Sequence, residues 1–270
     1  MSTPTITLLW RLLTTVRNWP VYFLNRFGWM EKRSEVRFHL WNGMTIIGRP
    51  FSVDRAIINE EWLDRCYDPN ALGLSWDWRS CRTIVDIGAH IGTFTLFAAA
   101  HAPGARIVAV EPEPSNAQLV RRNIGVNRLG GRVELVEAAL GAADGSATLH
   151  VTFARSGSGG HSLIRYEEAS TSVTVPVVCL ASLFQRHGID VCDVLKIDCE
   201  GAEYDALYAT PPDILRHVRF IAIEYHHFSR DPRHRPAALR AFLEEQGFAV
   251  CSPWKSLFFA FRGGVRRHGG

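Results

Sequence analysis

Short apolar, β-branched runs alternate with helical stretches over most of this chain. From Thr83 onward, the runs TIVDIG, RIVAVEP, VELVEAAL, VLKID and FIAIEYH predict strands, and the stretches 91–101, 115–127 and 201–208 predict helices between them. Strands that alternate with helices pair in parallel through crossover connections. The pattern therefore predicts an α/β fold with a doubly wound sheet.

The last part of the chain predicts a different strand pairing. A helix over 236–246 begins at Pro236 and ends at Gly247, and the runs FAVCSP and LFFAFR follow it. Since a short connection joins these two runs, we expect them to be antiparallel. Two further strand-like runs, SATLHVTF and SVTVPVVCL, lie between the third and fourth core strands. The Gly/Ser-rich segment 154–170 joins them, either as a plain hairpin connection or as a substrate lid.

The N-terminal stretch predicts an amphipathic helix that does not cross a membrane. Arg11, Arg17 and Arg26 interrupt its apolar positions, so no run approaches the roughly 20 residues that a bilayer requires. The charge lies within the apolar stretch and no small-residue cleavage site follows, which argues against a secretory signal. We expect the helix to pack on its own domain. Peripheral contact with a membrane surface is the alternative.

The next segment predicts a hairpin and a further helix. The stretch EVRFHLWNGMTIIG alternates apolar and polar residues on both sides of Asn42-Gly43, a dipeptide that favours a tight β-hairpin turn. Residues 52–71 have a helical pattern and reach a turn signal at Asp68-Pro69-Asn70.

These boundaries divide the chain into three parts. We expect an N-terminal helical and hairpin cap over 1–75, a catalytic domain over 76–264 and a flexible, solvated tail over 265–270. The basic end RGGVRRHGG has no interleaved aromatic residues, so we do not expect it to bind RNA.

Composition narrows the function classes only slightly. With 270 residues, 47% of them hydrophobic, the chain can bury a large core, and its net charge of +3 is too small to indicate nucleic-acid binding. The 6 cysteines occur singly, without a Cys-x-x-Cys pair. We expect buried, reduced thiols in a cytoplasmic protein and no structural metal.

The first two core strands end in residues that suit a nucleoside ligand. Ligands of an open α/β sheet bind beyond the carboxyl ends of the strands. Asp86 lies at the end of the first strand, and Gly88 and Gly92 belong to the strand-to-helix turn that comes next. Glu111 ends the second strand, at the position where a carboxylate binds both hydroxyls of a ribose. The two strand ends predict an adenosine cofactor.

The glycine spacing and the acid favour S-adenosylmethionine over a dinucleotide. A dinucleotide site has the pattern Gly-x-Gly-x-x-Gly, whereas Ala89, His90 and Ile91 separate the two glycines here. A carboxylate about 4 Å from a unit charge contributes roughly 4 kcal/mol at an effective dielectric near 20, favourably for a cation and unfavourably for a phosphate. S-adenosylmethionine carries a sulfonium and an ammonium and no phosphate, so it suits Asp86.

The motifs VDIGAHIGTF, VAVEPEPSNAQLVRRN, VEAALG and LKIDCEGAE, followed by FIAIEYH, resemble the FkbM-type family of S-adenosylmethionine-dependent methyltransferases. The resemblance covers residues 50–260, and LKIDCEGAE is its most distinctive part. It implies a Rossmann-like sheet of seven strands with the last strand antiparallel. It also implies methyl transfer to a hydroxyl of a small molecule or sugar, with S-adenosylhomocysteine as the product.

The resemblance also implies which residues hold the cofactor. The methionine part lies near the first glycine motif, the ribose on the acid of the second strand, and the adenine near the end of the third. His90 stands where asparagine is more usual, and we interpret it as a variant of the cofactor loop, with a catalytic base as the alternative. The cofactor-binding residues so implied are Asp86, Gly88, His90, Gly92, Glu111, Pro112, Glu137, Ala138 and Asp198.

The ends of the fourth and fifth strands supply the candidate catalytic residues. Methyl transfer is an in-line displacement, so the protein has to align the acceptor and remove or screen its proton. We predict that Asp198 orients the amino group of the cofactor or the acceptor hydroxyl, and that Glu200 points the same way. Glu203 either caps the following helix or joins the site. The candidate catalytic set is Lys196, Asp198, Glu200, Glu224 and His226.

Two members of this set have alternative interpretations. Lys196 shares a strand face with Asp198, and we expect it to pair with Glu224, either as a plain salt bridge between strands or in acceptor activation. His226, followed by His227, is either the proton acceptor or a surface residue. The spacing of these groups requires no divalent metal.

In the cap, Glu60 and Tyr67 are expected to lie over the cofactor or the acceptor, with packing and capping roles as the alternative. The predicted function is methyl transfer to a hydroxyl of a small-molecule or glycan acceptor, with no nucleic-acid partner and an open oligomeric state. Two other functions remain: a nicotinamide-dependent oxidoreductase, and a catalytically silent scaffold that binds S-adenosylmethionine or a membrane.

Overall fold

The computed structural model describes residues 5–151, 171–226, 230–254, 256–263 and 266–267. Its helices, labelled α1 to α9 in chain order, are Thr5–Thr15, Pro20–Arg26, Asp54–Ile58, Thr93–His101, Pro114–Val126, Leu180–Arg186, Glu203–Tyr208, Pro212–Arg216 and Pro236–Glu245. Its strands, labelled β1 to β14, are Val36–His39, Thr45–Gly48, Leu74–Ser75, Thr83–Ile87, Arg106–Val110, Val133–Val136, Ala139–Leu140, Gly145–Val151, Thr171–Val178, Cys192–Ile197, Val218–Glu224, Ala249–Trp254, Leu257–Phe261 and Arg266–Arg267.

A seven-stranded sheet forms the centre of the molecule, in the order β12-β13-β11-β10-β4-β5-β6. Strands β6, β5, β4, β10 and β11 pair in parallel, and β13 is antiparallel to both of its neighbours, β11 and β12. The predicted doubly wound sheet with an antiparallel last strand is confirmed. The crossover helices between the strands allow the parallel pairing.

Alternate residues of the central strands supply two hydrophobic cores, one on each face of the sheet. Ile84 contributes to the core on one face, and its neighbour Val85 to the core on the other. The first face is also covered by apolar side chains of the cap, including Leu12 and Phe38. The N-terminal segment is therefore packed onto the sheet rather than attached through a linker.

The predicted N-terminal helix is two helices, α1 and α2. Helix α1 ends at Thr15 because Val16 instead forms an isolated antiparallel bridge with Leu40. Pro20, which lacks an N–H group, begins α2. None of the helices in the described ranges is long and apolar enough to cross a membrane.

The predicted hairpin is confirmed as β1 and β2, but its tight turn is wrong. His39 pairs with Thr45, so residues 40–44 form the connection. Gly43 has a positive φ of 90°, whereas Asn42 accepts a hydrogen bond from the Met44 N–H through its side chain. A two-residue turn would need a positive φ at both positions.

The helical pattern of the next segment is broken into three pieces. Helix α3 continues into a π-helical turn, Asn59–Leu63, and a 3₁₀ helix follows at Pro69–Leu72. Asp68 caps the 3₁₀ helix by accepting a hydrogen bond from the Asn70 N–H. A π-turn adds one residue to a helical turn, which changes the face on which the neighbouring side chains lie.

The extra strands β7, β9 and β8 form a small separate sheet. The segment 154–170, expected to be a connection or a lid, lies outside the described residues. Within the predicted tail, Arg266–Arg267 pair with Leu74–Ser75 of the cap, and residues 268–270 lie outside the described part. All six cysteines are free thiols.

Two asparagines, Asn123 in α5 and Asn127 directly after it, join the cap to the sheet domain. The side chain of buried Asn123 accepts a hydrogen bond from the Ile47 N–H at 2.7 Å and donates to the carbonyls of Ile47 and Ile91. One turn later, Asn127 makes the same pair of hydrogen bonds with the backbone of Thr45. These amides pair with the outer edge of β2 in the way that a neighbouring strand would.

We expect Asn123→Leu to lower the free energy of unfolding by about 3 kcal/mol, because it leaves three buried backbone groups without partners. Asn127→Leu is the matched control, since Asn127 is only half-buried and water can replace its hydrogen bonds, so its loss should be about 1 kcal/mol. Urea denaturation measures both. Equal losses would contradict the role given to Asn123.

Candidate active site

The candidate site lies where four parallel strands, β4, β5, β10 and β11, end at the same edge of the sheet. The segments that follow them are 88–92, 111–113, 198–202 and 225–226. Because parallel strands bring their carboxyl ends together, these four segments converge, as expected for the ligand site of an open α/β sheet.

The loop after β4 has an unusual backbone. Gly88, His90 and Gly92 have positive φ angles of 73°, 52° and 85°. For a residue with a β carbon, such as His90, this conformation costs of order 1 kcal/mol, so the surrounding contacts have to hold it. The N–H groups of Gly88 and Ala89 both donate to the Val110 carbonyl, which fixes the loop to the end of β5.

Gly88 is required by contact between two loops. A β carbon at this position would lie 1.7 Å from the carbonyl oxygen of Asp198, in the loop after β10. The Asp198 N–H also donates to the Ile87 carbonyl. The loop after β10 therefore approaches the backbone of Gly88 closely, and only glycine allows this approach.

Glu111 holds the loop after β4 from the side of β5. Its buried carboxylate accepts hydrogen bonds from the backbone N–H groups of His90 and Glu113, at 2.8 and 3.0 Å, and from the Asn116 side chain. Burial raises the pKa of Glu111 to about 7. A carboxylate has about four acceptor positions, so these three bonds leave room for a ligand hydroxyl. Pro112, the next residue, is half-buried.

The residues predicted to lie near an adenine follow β6. Glu137 is exposed and forms an ion pair with Arg121 of α5. Ala138 is buried among the apolar residues of the second core. The Glu137 carboxylate thus binds a basic side chain on the surface of α5.

Lys196 is completely buried where β4 and β10 run side by side. Its ammonium lies 3.4 Å from a carboxylate oxygen of Asp86 and 3.7 Å from one of Asp198. It also donates to the carbonyls of Gly88, at 2.8 Å, and Ile87, at 3.3 Å. Burial alone would lower the pKa of Lys196, but the charges of Asp86 and Asp198 raise it above its usual value.

This arrangement corrects two predictions. The pairing of Lys196 with Glu224 is wrong, because the register places Lys196 directly opposite Asp86. Asp86 is fully buried and also accepts a hydrogen bond from the Thr95 hydroxyl at 2.5 Å. Its carboxylate therefore faces Lys196 rather than the mouth of the loop. Since Lys196 neutralises it, Asp86 does not by itself favour a cationic cofactor over a phosphate.

Tyr67 of the cap reaches two of the predicted catalytic carboxyl groups. Its hydroxyl lies 2.9 Å from an oxygen of Glu224 and 3.1 Å from one of Asp198. Burial and the charge of Asp198 raise the pKa of Glu224. Because a phenol has only one hydrogen to donate, a proton held on Glu224 would supply the second hydrogen bond. This contact joins Tyr67 to two of the candidate catalytic residues, and its place over the cofactor or the acceptor stays a prediction.

His226 lies between two glutamates at the end of β11. Its Nε2 atom is 3.6 Å from Glu200 and its Nδ1 atom is 3.4 Å from Glu203. Burial would lower the pKa of His226, but the hydrogen bond with Glu203 and the charges of Glu200 and Asp198 raise it to about 9. The imidazole is therefore protonated at neutral pH, which is the wrong state for accepting a proton.

Glu203 is a positioning residue at the start of α7. It is fully buried, and its two oxygens accept hydrogen bonds from the N–H groups of Gly201 and His226, both at 2.7 Å. Glu200, directly before Gly201, has a positive φ of 53°. Burial raises the pKa of Glu200 to about 7. The loop thus presents one strained glutamate whose proton is exchangeable near neutral pH.

The cap contributes two neighbouring glutamates, and only one of them was predicted. Partial burial of its carboxyl, with the charges of Glu224 and Asp198, raises the pKa of Glu60 to about 7. Its place over the cofactor or the acceptor stays a prediction. Glu61, the next residue, is buried, and burial raises its pKa to about 8 against the opposing effect of the Lys196 charge. The π-turn brings both residues to the site, and an irregular turn of this kind leaves no periodic signal in a sequence.

A second group missed by the sequence analysis joins the cap to the loop after β4. The guanidinium of Arg49 binds the buried carboxylate of Asp54 at 2.9 and 3.0 Å and the side-chain oxygen of Asn116 at 2.7 Å. The same guanidinium lies 3.2 Å from the Nε2 atom of His90. The His90 ring therefore faces the cap, which favours the interpretation of His90 as part of the loop.

One predicted neighbour of the site, His227, lies outside the described residues. Within the described ranges, no three or more His, Cys, Asp or Glu side chains are arranged to hold a metal ion.

Comparison with known proteins identifies one family. Residues 86–250, more than half of the chain, match the Methyltransferase FkbM domain. The "Methyltransferase sdnD" of Sordaria araneosa is 27% identical over 223 residues, covering 72% of this chain and 82% of that protein. The "31-O-demethyl-FK506 methyltransferase FkbM" of Streptomyces tacrolimicus is 25% identical over 242 residues, covering 80% of this chain and 90% of that protein.

Among solved structures, a methyltransferase FkbM from Methylobacillus flagellatus is 16% identical, with a TM-score of 0.45. The match covers 91% of this chain but only 59% of that protein, so the chain spans less than two thirds of its length.

We expect Lys196→Met to lower the free energy of unfolding by about 3–5 kcal/mol, since it leaves the buried Asp86 without its counter-charge. The double variant Lys196→Met/Asp86→Asn should recover part of this loss. The control is Arg186→Met, which breaks the exposed pair with Asp144 and should change the free energy of unfolding far less than Lys196→Met does. Chemical denaturation measures all three. A Lys196→Met loss as small as the control would show that the buried pair is not required.

The stabilising contribution of His226 should decrease as the pH rises. Its folded-state pKa of about 9 lies above the ordinary value of 6.5, so the contribution is complete below pH 6.5 and is lost as the pH rises through 9. The difference in free energy of unfolding between the wild type and His226→Gln should therefore fall by roughly 2–3 kcal/mol over this window. The exposed His217 gives the control variant His217→Gln. A difference for His226→Gln that is independent of pH would refute the protonated state.

Proposed function

Because this chain belongs to the FkbM methyltransferase family, we propose that it transfers a methyl group from S-adenosylmethionine to a hydroxyl of a small-molecule or glycan acceptor. The observation that carries the proposal is the group of Asp198, Glu224 and Tyr67, joined by hydrogen bonds directly beside the loop after β4. We also propose a cytoplasmic location, since six free thiols suit a reducing compartment.

The residues at the strand ends fit the proposed cofactor. S-adenosylmethionine offers ribose hydroxyls that donate hydrogen bonds, together with sulfonium and ammonium cations. The Glu111 carboxylate has an acceptor position left for a ribose hydroxyl. The side chain of Asp198, partly exposed beside the glycine loop, offers a carboxylate to the cationic groups of the cofactor. When bound, the cofactor would supply an electrophilic methyl group. Asp86 would act only indirectly, by holding Lys196.

The acceptor hydroxyl has to be oriented and lose its proton. We assign proton acceptance to Glu200 rather than His226, because a general base works best with a pKa near the operating pH, and that of Glu200 is raised to about 7. The protonated His226, 3.6 Å away, would hold the Glu200 carboxylate in place. Glu224 and Tyr67 would then orient the acceptor, and Glu60 would close the site from the cap.

The hydroxyl acceptor has support from one relative. The Streptomyces tacrolimicus protein is named as a methyltransferase for 31-O-demethyl-FK506, so the group it methylates is an oxygen of a small molecule. At 25% identity this does not identify the acceptor of the present chain.

We expect S-adenosylmethionine and S-adenosylhomocysteine to bind in calorimetric titrations, and Glu111→Gln to weaken both at least about tenfold by removing the charge that a ribose diol favours. Glu113→Gln is the matched control. Glu113 is a buried glutamate two residues away that caps α5, so its substitution should change binding by less than about threefold. Binding of both compounds that Glu111→Gln leaves intact would place the nucleoside elsewhere.

The same preparation separates the alternative functions. Transfer of labelled methyl groups from S-adenosylmethionine to a panel of sugar and polyketide alcohols, abolished in Glu200→Gln, would support the proposal. Binding without transfer to any alcohol would favour a catalytically silent scaffold. Binding of NADH instead, seen as a change in its fluorescence, would favour an oxidoreductase.

A further inference from the structure

The outer face of α1 is apolar and uncovered. Ile6, Leu9, Trp10 and Leu13 follow each other at helical spacing and are all exposed, Ile6 at 83% and Trp10 at 66%. Leu12, on the inner side of the same helix, is buried in the core. One apolar face of α1 thus packs on the core, and a second apolar face is exposed to solvent.

The exposed apolar residues are concentrated in the cap. Of the twelve large hydrophobic side chains exposed in the described ranges, nine lie within residues 6–51. These nine residues are Ile6, Leu9, Trp10, Leu13, Trp19, Phe27, Trp29, Trp41 and Phe51. We call them the aromatic cap surface, because all five that lie outside α1 are tryptophan or phenylalanine.

Local contacts join these residues into groups. Trp41 donates a hydrogen bond from its indole N–H to the Leu13 carbonyl at 2.9 Å, which places it at the end of α1. The rings of Phe27 and Trp29 lie 6.5 Å apart, and Trp29 is 78% exposed. Trp41, Phe27 and Trp29 are therefore exposed although each has a contact with another residue of the cap.

Basic side chains accompany the aromatic cap surface. Arg17, Arg26, Lys32 and Arg33 are exposed in the same segment and take part in none of the ion pairs of the described residues. Exposed tryptophan, phenylalanine and leucine together with arginine and lysine are typical of segments that lie at a bilayer surface.

We propose that the aromatic cap surface docks on an anionic lipid bilayer, with its apolar side chains in the interfacial region and its basic side chains on the lipid headgroups. Docking is peripheral, since the helices of the described ranges are too short or too polar to span a bilayer. It involves the site indirectly: Arg11 of α1 forms an ion pair at 2.6 Å with Asp64, which directly follows the π-turn carrying Glu60.

Vesicle flotation with the full chain tests the proposal. We expect binding to vesicles of phosphatidylcholine with about one-third phosphatidylglycerol, and at least about tenfold weaker binding to phosphatidylcholine alone. Ile6→Ser/Trp10→Ser should reduce binding to the anionic vesicles at least about tenfold by removing apolar surface. Arg26→Gln/Arg33→Gln should reduce it by about tenfold through lost charge, and added salt should weaken the wild type.

Matched controls lie outside the cap. Val126→Ser/Val191→Ser removes exposed apolar side chains, and Arg79→Gln/Arg216→Gln removes exposed charges near the opposite ends of the strands, so both should bind as the wild type does. Failure of the wild type to bind, or equal binding to both kinds of vesicle, would overturn the proposal. So would a dimer in sedimentation velocity that Ile6→Ser/Trp10→Ser abolishes, since a second copy would then cover the surface.

Discussion

The buried ammonium of Lys196 is the interaction on which the geometry of the site depends. An unpaired charge inside a sheet would cost several kcal/mol, and this one is acceptable only because Asp86 neutralises it and two carbonyls of the neighbouring strand accept its hydrogens. Those carbonyls belong to Ile87 and Gly88, where β4 turns into its loop. The same charge also attracts Asp198. One side chain thus fixes the ends of two strands and the loops that carry the proposed chemistry.

Several carboxyl groups lie close to this cation, and ionising all of them at once would cost free energy. Burial, together with the negative charges of neighbouring carboxylates, raises the pKa values of Glu200 and Glu224. The phenol of Tyr67 and the imidazolium of His226 relieve the repulsion. Neutral and ionised carboxyl groups can therefore coexist here near pH 7, as acid and base chemistry requires.

The sequence revealed the sheet and the strand-end residues because both depend on local pattern. Apolar runs that stop at Asp86, Glu111 and Asp198 show where strands end, and alternation with helices gives their parallel order. The partner of Lys196 could not be found in this way, since it depends on the register between strands distant in the chain. The position of Glu61 depends on an irregular turn that breaks the helical period. Sequence order gave no sign that Glu203 would turn back to the backbone of His226.

The contact between Gly88 and the Asp198 carbonyl also restricts how the site opens. Backbone in van der Waals contact, with Lys196 beneath it and Glu111 holding the far side, makes the strand-end loops of the described residues a single rigid floor. The cap meets this floor at the site through a few side chains, chiefly Tyr67 and Arg49. Since the cap also packs Leu12 and Phe38 into the core on one face of the sheet, the site is bounded on both sides by parts of the chain that are in place before a ligand binds.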